Sequence, residues 1–512
     1  EPPEQLALGS SRQQRRLFRP SPRSCLFVPT AQEERRDHPV AARLARDGVF
    51  RPFQQVHVPV ALRPPCFPPG NFRPPSYRHH GPVHGWPAPR WPGIYVRMRV
   101  SFPDPPPSLP PHARSFPAAD SMGSGSKLRL WCSAFACALA FLGARGDDDH
   151  LVDITYVESA VAKGAVCLDG SPPAYHLAPG SGSGVSSWLV HFEGGAWCNN
   201  ATTCLHRSRT PLGSSKEMAR QAAFTGILSN ASDYNPDFYN WNKVKVRYCD
   251  GSSFTGDKEE VDPSTNVHYR GARVWQAVIE DLLAKGMNKA KNALISGCSA
   301  GGLTSILHCD RFHQLLPADA NVKCLSDAGF FINVKDITGA NHAEAFFNDV
   351  VATHGSAKNL PSSCTSKLPA GVCFFPQNEV QQIQTPLFIL NAAYDSWQVR
   401  HILVPEGSDP EWRGCRDDIT QCSTKQLETL QGFRDDFLAA LGASASAGSR
   451  GLFVNSCFAH CQSETQDIWF APASPALGDR RIADAVGDWF YSRSGFQKTD
   501  CPYPCDSTCY TN

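Results

Sequence analysis

One serine in this 512-residue chain lies where a serine can do covalent chemistry. In ISGCSAGG (295–302), Ser299 has Gly297 two residues before it and Gly301 two residues after it. The preceding NALIS (292–296) reads as a short apolar strand. The following LTSILHCDRF (303–312) reads as a helix, with Leu303, Ile306 and Leu307 beginning one apolar stripe. Strand, G-x-S-x-G and helix form the layout of a nucleophile elbow, a turn so tight that only small residues clear it. Such a turn lifts the serine hydroxyl above the carboxyl edge of a sheet. Gly297 and Gly301 would supply the clearance and Ser299 the nucleophile.

A hydroxyl is a poor nucleophile without a base to take its proton and a third group to orient that base. On this architecture the acid and then the histidine come later in the chain, at strand ends. TPLFILNAAYDSWQ (385–398) offers a strand ending at Asp395, and GLFVNSCFAHCQ (451–462) offers another followed by His460. The plainer readings are a turn or capping aspartate and a histidine packed between disulfides. Asp327, in CLSDAGFF (324–331), is the rival acid. His308, down the helix from the elbow, reads as structural.

Acyl transfer also needs N–H groups aimed at the oxyanion. Ala300, directly after the serine, supplies one. In SSWLVHFEGGAWCNN (186–200) a strand leads into Gly194-Gly195, where backbone can approach a ligand closely, so these two are the other candidates. Trp197 would either floor a substrate groove or belong to the core.

The elements that must carry these residues are legible as short apolar runs alternating with helical patterns. Strands are predicted at 188–192, 244–248, 293–296, 386–390 and 452–454, and a hairpin over 165–176 turning at Asp169-Gly170. In ARVWQAVIEDLLAKG (272–286), Trp275, Val278, Ile279, Leu282 and Leu283 make one stripe, with Gly286 as its stop. Strands separated by helices predict an α/β fold, a mostly parallel sheet flanked by helices in a single domain.

The formal charge of +1 averages two unlike regions. Residues 1–121 hold 25 of the 42 prolines, with 17 arginines, no lysine and 8 acidic residues, about +9 in all, which leaves about −8 for the rest. The first region reads as a Pro/Arg-rich extension that cannot pack. At Met122 the text changes. Basic Lys127 and Arg129 precede an apolar stretch over 130–142 and small residues up to Ala144, the layout of a secretory signal over 122–144. The expected native start is therefore Met122, with the globular part over 145–512. Sixteen cysteines follow from Cys167 onward, and behind an export signal they imply disulfides; CPYPCDSTC (501–509) is the nearest thing to a metal motif. Asn200 and Asn230 open N-x-S/T sequons. Arg207, Arg209, Lys243, Lys245 and Arg247 would line a basic groove or lie on a solvated surface.

HFEGGAWCNN (191–200), YCDGSSFTGD (248–257), RGARVWQAVIEDLLAKGM (270–287), LISGCSAGG (294–302), CLSDAGFFI (324–332) and NAAYDSWQV (391–399) resemble the plant pectin acetylesterase family and, more distantly, the secreted carboxylesterase Notum. The resemblance runs from about residue 151 to 510. It implies an α/β-hydrolase-like fold, secretion to the cell wall and removal of O-acetyl groups from pectin. Ser299, Asp395 and His460 match the family's triad, and Gly194, Gly195 and Ala300 its oxyanion hole. The expected protein is thus a secreted, disulfide-rich monomeric serine esterase with glycans at Asn200 and Asn230. It is expected to need no metal or other cofactor, to bind no nucleic acid and to make no stable membrane insertion. An esterase for longer acyl chains and a non-catalytic wall-binding protein are the alternatives. With His460 as base, activity falls as pH drops through the imidazole pKa, about 6.5 if nothing shifts it.

Overall fold

The computed structural model describes residues 150–509 apart from Asp262 and residues 443–448. The extension over 1–121 and the signal segment over 122–144 lie outside the described residues. All described residues belong to one unit, Ala118–Asn512.

Its frame is a ten-stranded sheet. In chain order the strands are β1 (Leu151–Tyr156), β2 (Ala174–Ala178), β3 (Ser187–Phe192), β4 (Gln221–Ala223), β5 (Asn242–Val246), β6 (Asn292–Cys298), β7 (Asn321–Asp327), β8 (Leu387–Ala392), β9 (Gly451–Asn455) and β12 (Gln497–Thr499); β10 (Ala476–Leu477) and β11 (Arg480–Arg481) pair separately. Across the sheet the order is β12-β9-β8-β7-β6-β3-β5-β2-β1-β4. The strands from β12 to β5 run parallel, and β2, β1 and β4 add antiparallel pairs at one side.

Composition explains which strands are central. Every residue of β3, β8 and β9 is buried, as expected for apolar strands covered on both faces, whereas β12 at the edge is fully exposed. Alternate side chains feed two cores. Val190 and Ile295 face the helices Gly271–Ala284 and Ala300–Leu307; Leu189, Leu294, Leu325 and Phe388 face Ile482–Phe490 on the other side. The predicted stripe of Trp275, Val278, Ile279 and Leu282 is buried in the first core, and Gly286, at φ 115°, follows the helix end.

The expected hairpin over 165–176 does not form. The turn is there, with Gly170 at φ 84° and Cys167 N–H donating to Ser171 O. However, Leu168 N–H turns away to Cys249 O, and β2 pairs with β1 and β5 instead. The disulfide Cys167–Cys249 holds that arm against the β5 end. β7 has a weak apolar signal because of Lys323, whose Nζ lies 4.9 Å from the Trp489 ring centroid and donates to Trp489 O at 2.7 Å.

The chain passes from β5 over β3 to β6 and then proceeds outward through β7, β8 and β9. The order therefore reverses at β3/β6, and a crevice outside the carboxyl ends of the strands is where such sheets bind ligands.

Candidate active site

Ser299 follows β6 directly, at φ 58° and ψ −124°, a conformation that costs a non-glycine residue about 1–3 kcal/mol and persists only when its surroundings impose it. They do so by close approach: a Cβ on Gly301 would meet Phe192 O at 2.0 Å, and one on Gly297 would meet Gly301 O at 2.3 Å. Ser299 N–H donates to Asp327 O on the neighbouring strand, and Ser299 O accepts from Leu303 N–H, which starts the helix Ala300–Leu307.

β3 pairs with β6 so that Phe192 lies opposite Gly297, which brings Gly194 across from the serine. A Cβ on Gly194 would lie 2.9 Å from Ser299 Cβ, so no other residue passes there. Two neighbouring carbonyls are tied back: Gly195 O accepts from Arg207 Nη1 at 2.7 Å and Ala196 O from Tyr248 Oη at 2.9 Å. Among the described residues, no protein acceptor takes the N–H of Gly194, Gly195 or Ala300.

Asp395 comes three residues after β8 and is fully buried. It is both a capping aspartate and a histidine partner: Oδ1 accepts from Gln398 N–H at 2.9 Å, and Oδ2 accepts from His460 Nδ1 at 2.8 Å. His460 lies on the loop after β9. Ser396 N–H donates to Ala459 O beside it, and the ring stacks alongside Trp397 at 6.2 Å. Burial alone would push the imidazolium pKa down. The Asp395 carboxylate, helped by Asp327 and Glu464, outweighs burial and holds it above the ordinary value. No hydrogen bond joins Ser299 Oγ to His460 in this structure. Their neighbourhood is set by the Cys298–Cys461 disulfide, which links the residue before the serine to the residue after the histidine with Cα atoms 5.6 Å apart.

The rival acid, Asp327, does not touch the imidazole; its carboxylate accepts from Gln462 and Ser463. His308 is buried, stacked 4.5 Å from Trp275, and driven to a pKa of about 3 by burial and Arg311, which suits a structural ring. Trp197 is buried, with Nε1 donating to Ser253 Oγ and rings of Phe331, Phe347, Phe374 and Trp397 edge-on around it. In front of this cluster opens an apolar cavity of about 200 Å³, walled by Ala196, Phe346, Phe347, Trp397, His401 and Ile402. Spacing along the chain carries no sign of that cavity, because its walls come from three distant segments.

The five basic residues at 207–247 do not line a groove. Lys243 is buried with Nζ on Tyr239 O, Lys245 lies 3.7 Å from Glu464, and Arg247 pairs with Glu193 at 2.9 Å. Arg207 is spent on Gly195 O and Leu212 O, which leaves only Arg209 exposed. Asn200 and Asn230 are both exposed. All sixteen cysteines from Cys167 to Cys509 form disulfides, including Cys501–Cys505 and Cys457–Cys509 from the terminal motif. The adjacency of Cys298 to Ser299 and of Cys461 to His460 was the available sign of their pairing. Among the described residues, no helix is long and apolar enough to cross a membrane.

Residues 146–510 match the family model described as Pectinacetylesterase. Pectin acetylesterase 11 of Arabidopsis thaliana is 54% identical over 384 residues, covering 74% of this chain and 97% of that protein. Human palmitoleoyl-protein carboxylesterase NOTUM is 30% identical over 292 residues, 54% of this chain and 58% of that one. The crystal structure of the Wnt deacylase Notum from Drosophila superimposes with a TM-score of 0.60 at 22% identity, covering 70% of this chain and 99% of that one, a likeness of fold.

Proposed function

Since the chain belongs to the pectinacetylesterase family and is a carboxylic ester hydrolase, we propose that it removes O-acetyl groups from pectin through an acyl-enzyme on Ser299. Ser299 Oγ attacks the acetyl carbonyl while His460 Nε2 accepts its proton. Asp395 holds Nδ1, fixes the tautomer and favours the imidazolium that forms. The tetrahedral oxyanion rests on N–H groups of Gly194, Gly195 and Ala300. The sugar oxygen leaves with the proton from His460, and water repeats the sequence on the acetyl-Ser299 ester. The observation that carries this reading is the His460–Asp395 hydrogen bond at 2.8 Å, tethered beside a serine in an elbow conformation. The site of action would be the cell wall, after export and formation of the eight disulfides, with the chain acting as a monomer. The test is acetate release from acetylated pectin by the wild type and by Ser299→Ala.

The apolar cavity beside Trp397 favours a second reading, in which longer acyl chains are also cleaved, because about 200 Å³ exceeds the needs of an acetyl methyl. With acetyl and octanoyl p-nitrophenyl esters, a higher kcat/KM for acetyl supports the first reading, and a higher value for octanoyl supports the second.

A further inference from the structure

His460 leaves from β9, while Ser299 leaves from β6, three strands away in the order β9-β8-β7-β6. At about 4.8 Å per strand the loop must bridge roughly 14 Å along the sheet edge. It is anchored at each intervening strand end. Asp395 beyond β8 takes the imidazole, Cys298 of β6 takes Cys461, and Asp327, the last residue of β7, takes the backbone that follows.

We propose that Asp327 is a positioning residue of the esterase centre, whose carboxylate fixes the segment after His460 so that the imidazole faces Ser299 and whose charge, with that of Asp395, favours the imidazolium. This rests on Ser299, Asp395 and His460 acting as nucleophile, acid and base. Asp327 reaches both halves of the site. Its main-chain oxygen accepts from Ser299 N–H at 2.9 Å. Its Oδ2 accepts from Gln462 N–H at 2.8 Å, Ser463 N–H at 2.7 Å and Ser463 Oγ at 2.7 Å. Oδ1 is buried without a protein partner. Burying a carboxylate with one oxygen unmatched is unfavourable, and an amide could hold the same two N–H groups without the charge. Burial pushes the Asp327 pKa up to about 6 against the hydrogen bonds of Ser463 and Gln462, with Glu464 adding to the rise. The imidazole of His460 is faced by Asp395 from the β8 end, Asp327 from the β7 end, Glu464 from its own loop and His401 from the turn after β8.

The experiment is the pH profile of p-nitrophenyl acetate hydrolysis by the full chain carrying Asp327→Asn, beside wild type and Ser299→Ala. Asparagine keeps the shape and one accepting oxygen. The expected result is a kcat lower by roughly 10- to 100-fold, the scale of a misplaced catalytic group, with KM within about twofold and the acid limb of kcat/KM moved to lower pH. Wild-type kcat, or a loss of kcat with an unmoved acid limb, would overturn the proposal. Should Asp327→Asn fail to fold, Ser463→Ala decides, since it removes only the hydroxyl bond to Oδ2: a several-fold fall in kcat at unchanged Tm is expected, and wild-type kcat overturns the proposal. Full activity in Ser299→Ala would instead sink the assignment of the nucleophile, whatever Asp327→Asn does.

Discussion

His460 is where burial and charge compete most directly. A buried imidazole ordinarily prefers to be neutral, yet Asp395 at 2.8 Å, with Asp327 and Glu464 behind it, holds this one above its usual pKa. Two consequences have opposite signs. For stability, a raised histidine pKa contributes fully below the unfolded value of about 6.5, and that contribution is lost as pH rises through the folded value. For catalysis, His460 as the proposed base must be neutral, so activity appears as pH rises through that same folded value. The acid limb of kcat/KM is therefore expected above about 6.5 rather than at it. A p-nitrophenyl acetate profile across the acid and neutral range measures this; a limb below the ordinary imidazole value, or a flat rate, contradicts a histidine held charged by these three carboxylates. The placement of Ser299, Asp395 and His460 beyond the ends of β6, β8 and β9 was legible in the sequence because each follows an apolar run. Asp327 was legible only as a rival acid, since its partners, Gln462 and Ser463, are 135 and 136 residues away.

Among the elements, the decisive connection is the disulfide from the elbow to the histidine loop. It spans 163 residues and bypasses β7 and β8. Replacing both Cys298 and Cys461 by serine is expected to cost about 2–5 kcal/mol of stability and to lower kcat more than KM, because the loop would rest on Asp395 and Asp327 alone. Chemical denaturation and steady-state kinetics of the double variant check this; unchanged kcat would show that the disulfide plays no part in holding the base. Pairing of this kind cannot be read from spacing, and Cys457 and Cys461, four residues apart, belong to different bridges. Strands were legible where both faces are apolar, as in β3, β8 and β9. β7 was obscured because a long cation, Lys323, enters it, whereas β5 was read two residues late, at 244–248 rather than Asn242–Val246. The hairpin expected over 165–176 failed for a related reason: its turn chemistry is local, while the pairing of β2 with β1 and β5 is decided by tertiary contacts.

Across the molecule, the doubly covered parallel sheet and its reversal at β3/β6 put the elbow, the glycine loop and the histidine loop on one rim. The charge picture read from the sequence needs revision at this level. The basic residues that suggested a groove for a polyanion serve internal ends, holding Gly195 O, Glu193 and Glu464 in place. Residues 122–512 carry about −8, and of these five basic residues only Arg209 stays exposed to meet an acidic polymer. Family membership makes the chain an ester hydrolase, and a single comparison tests the proposed nucleophile, Ser299: acetate released from acetylated pectin by wild type and by Ser299→Ala, prepared identically. Steady release by the wild type is expected, with none above background from the variant and its Tm unchanged. Release by the variant at the wild-type rate would show that Ser299 is not the nucleophile.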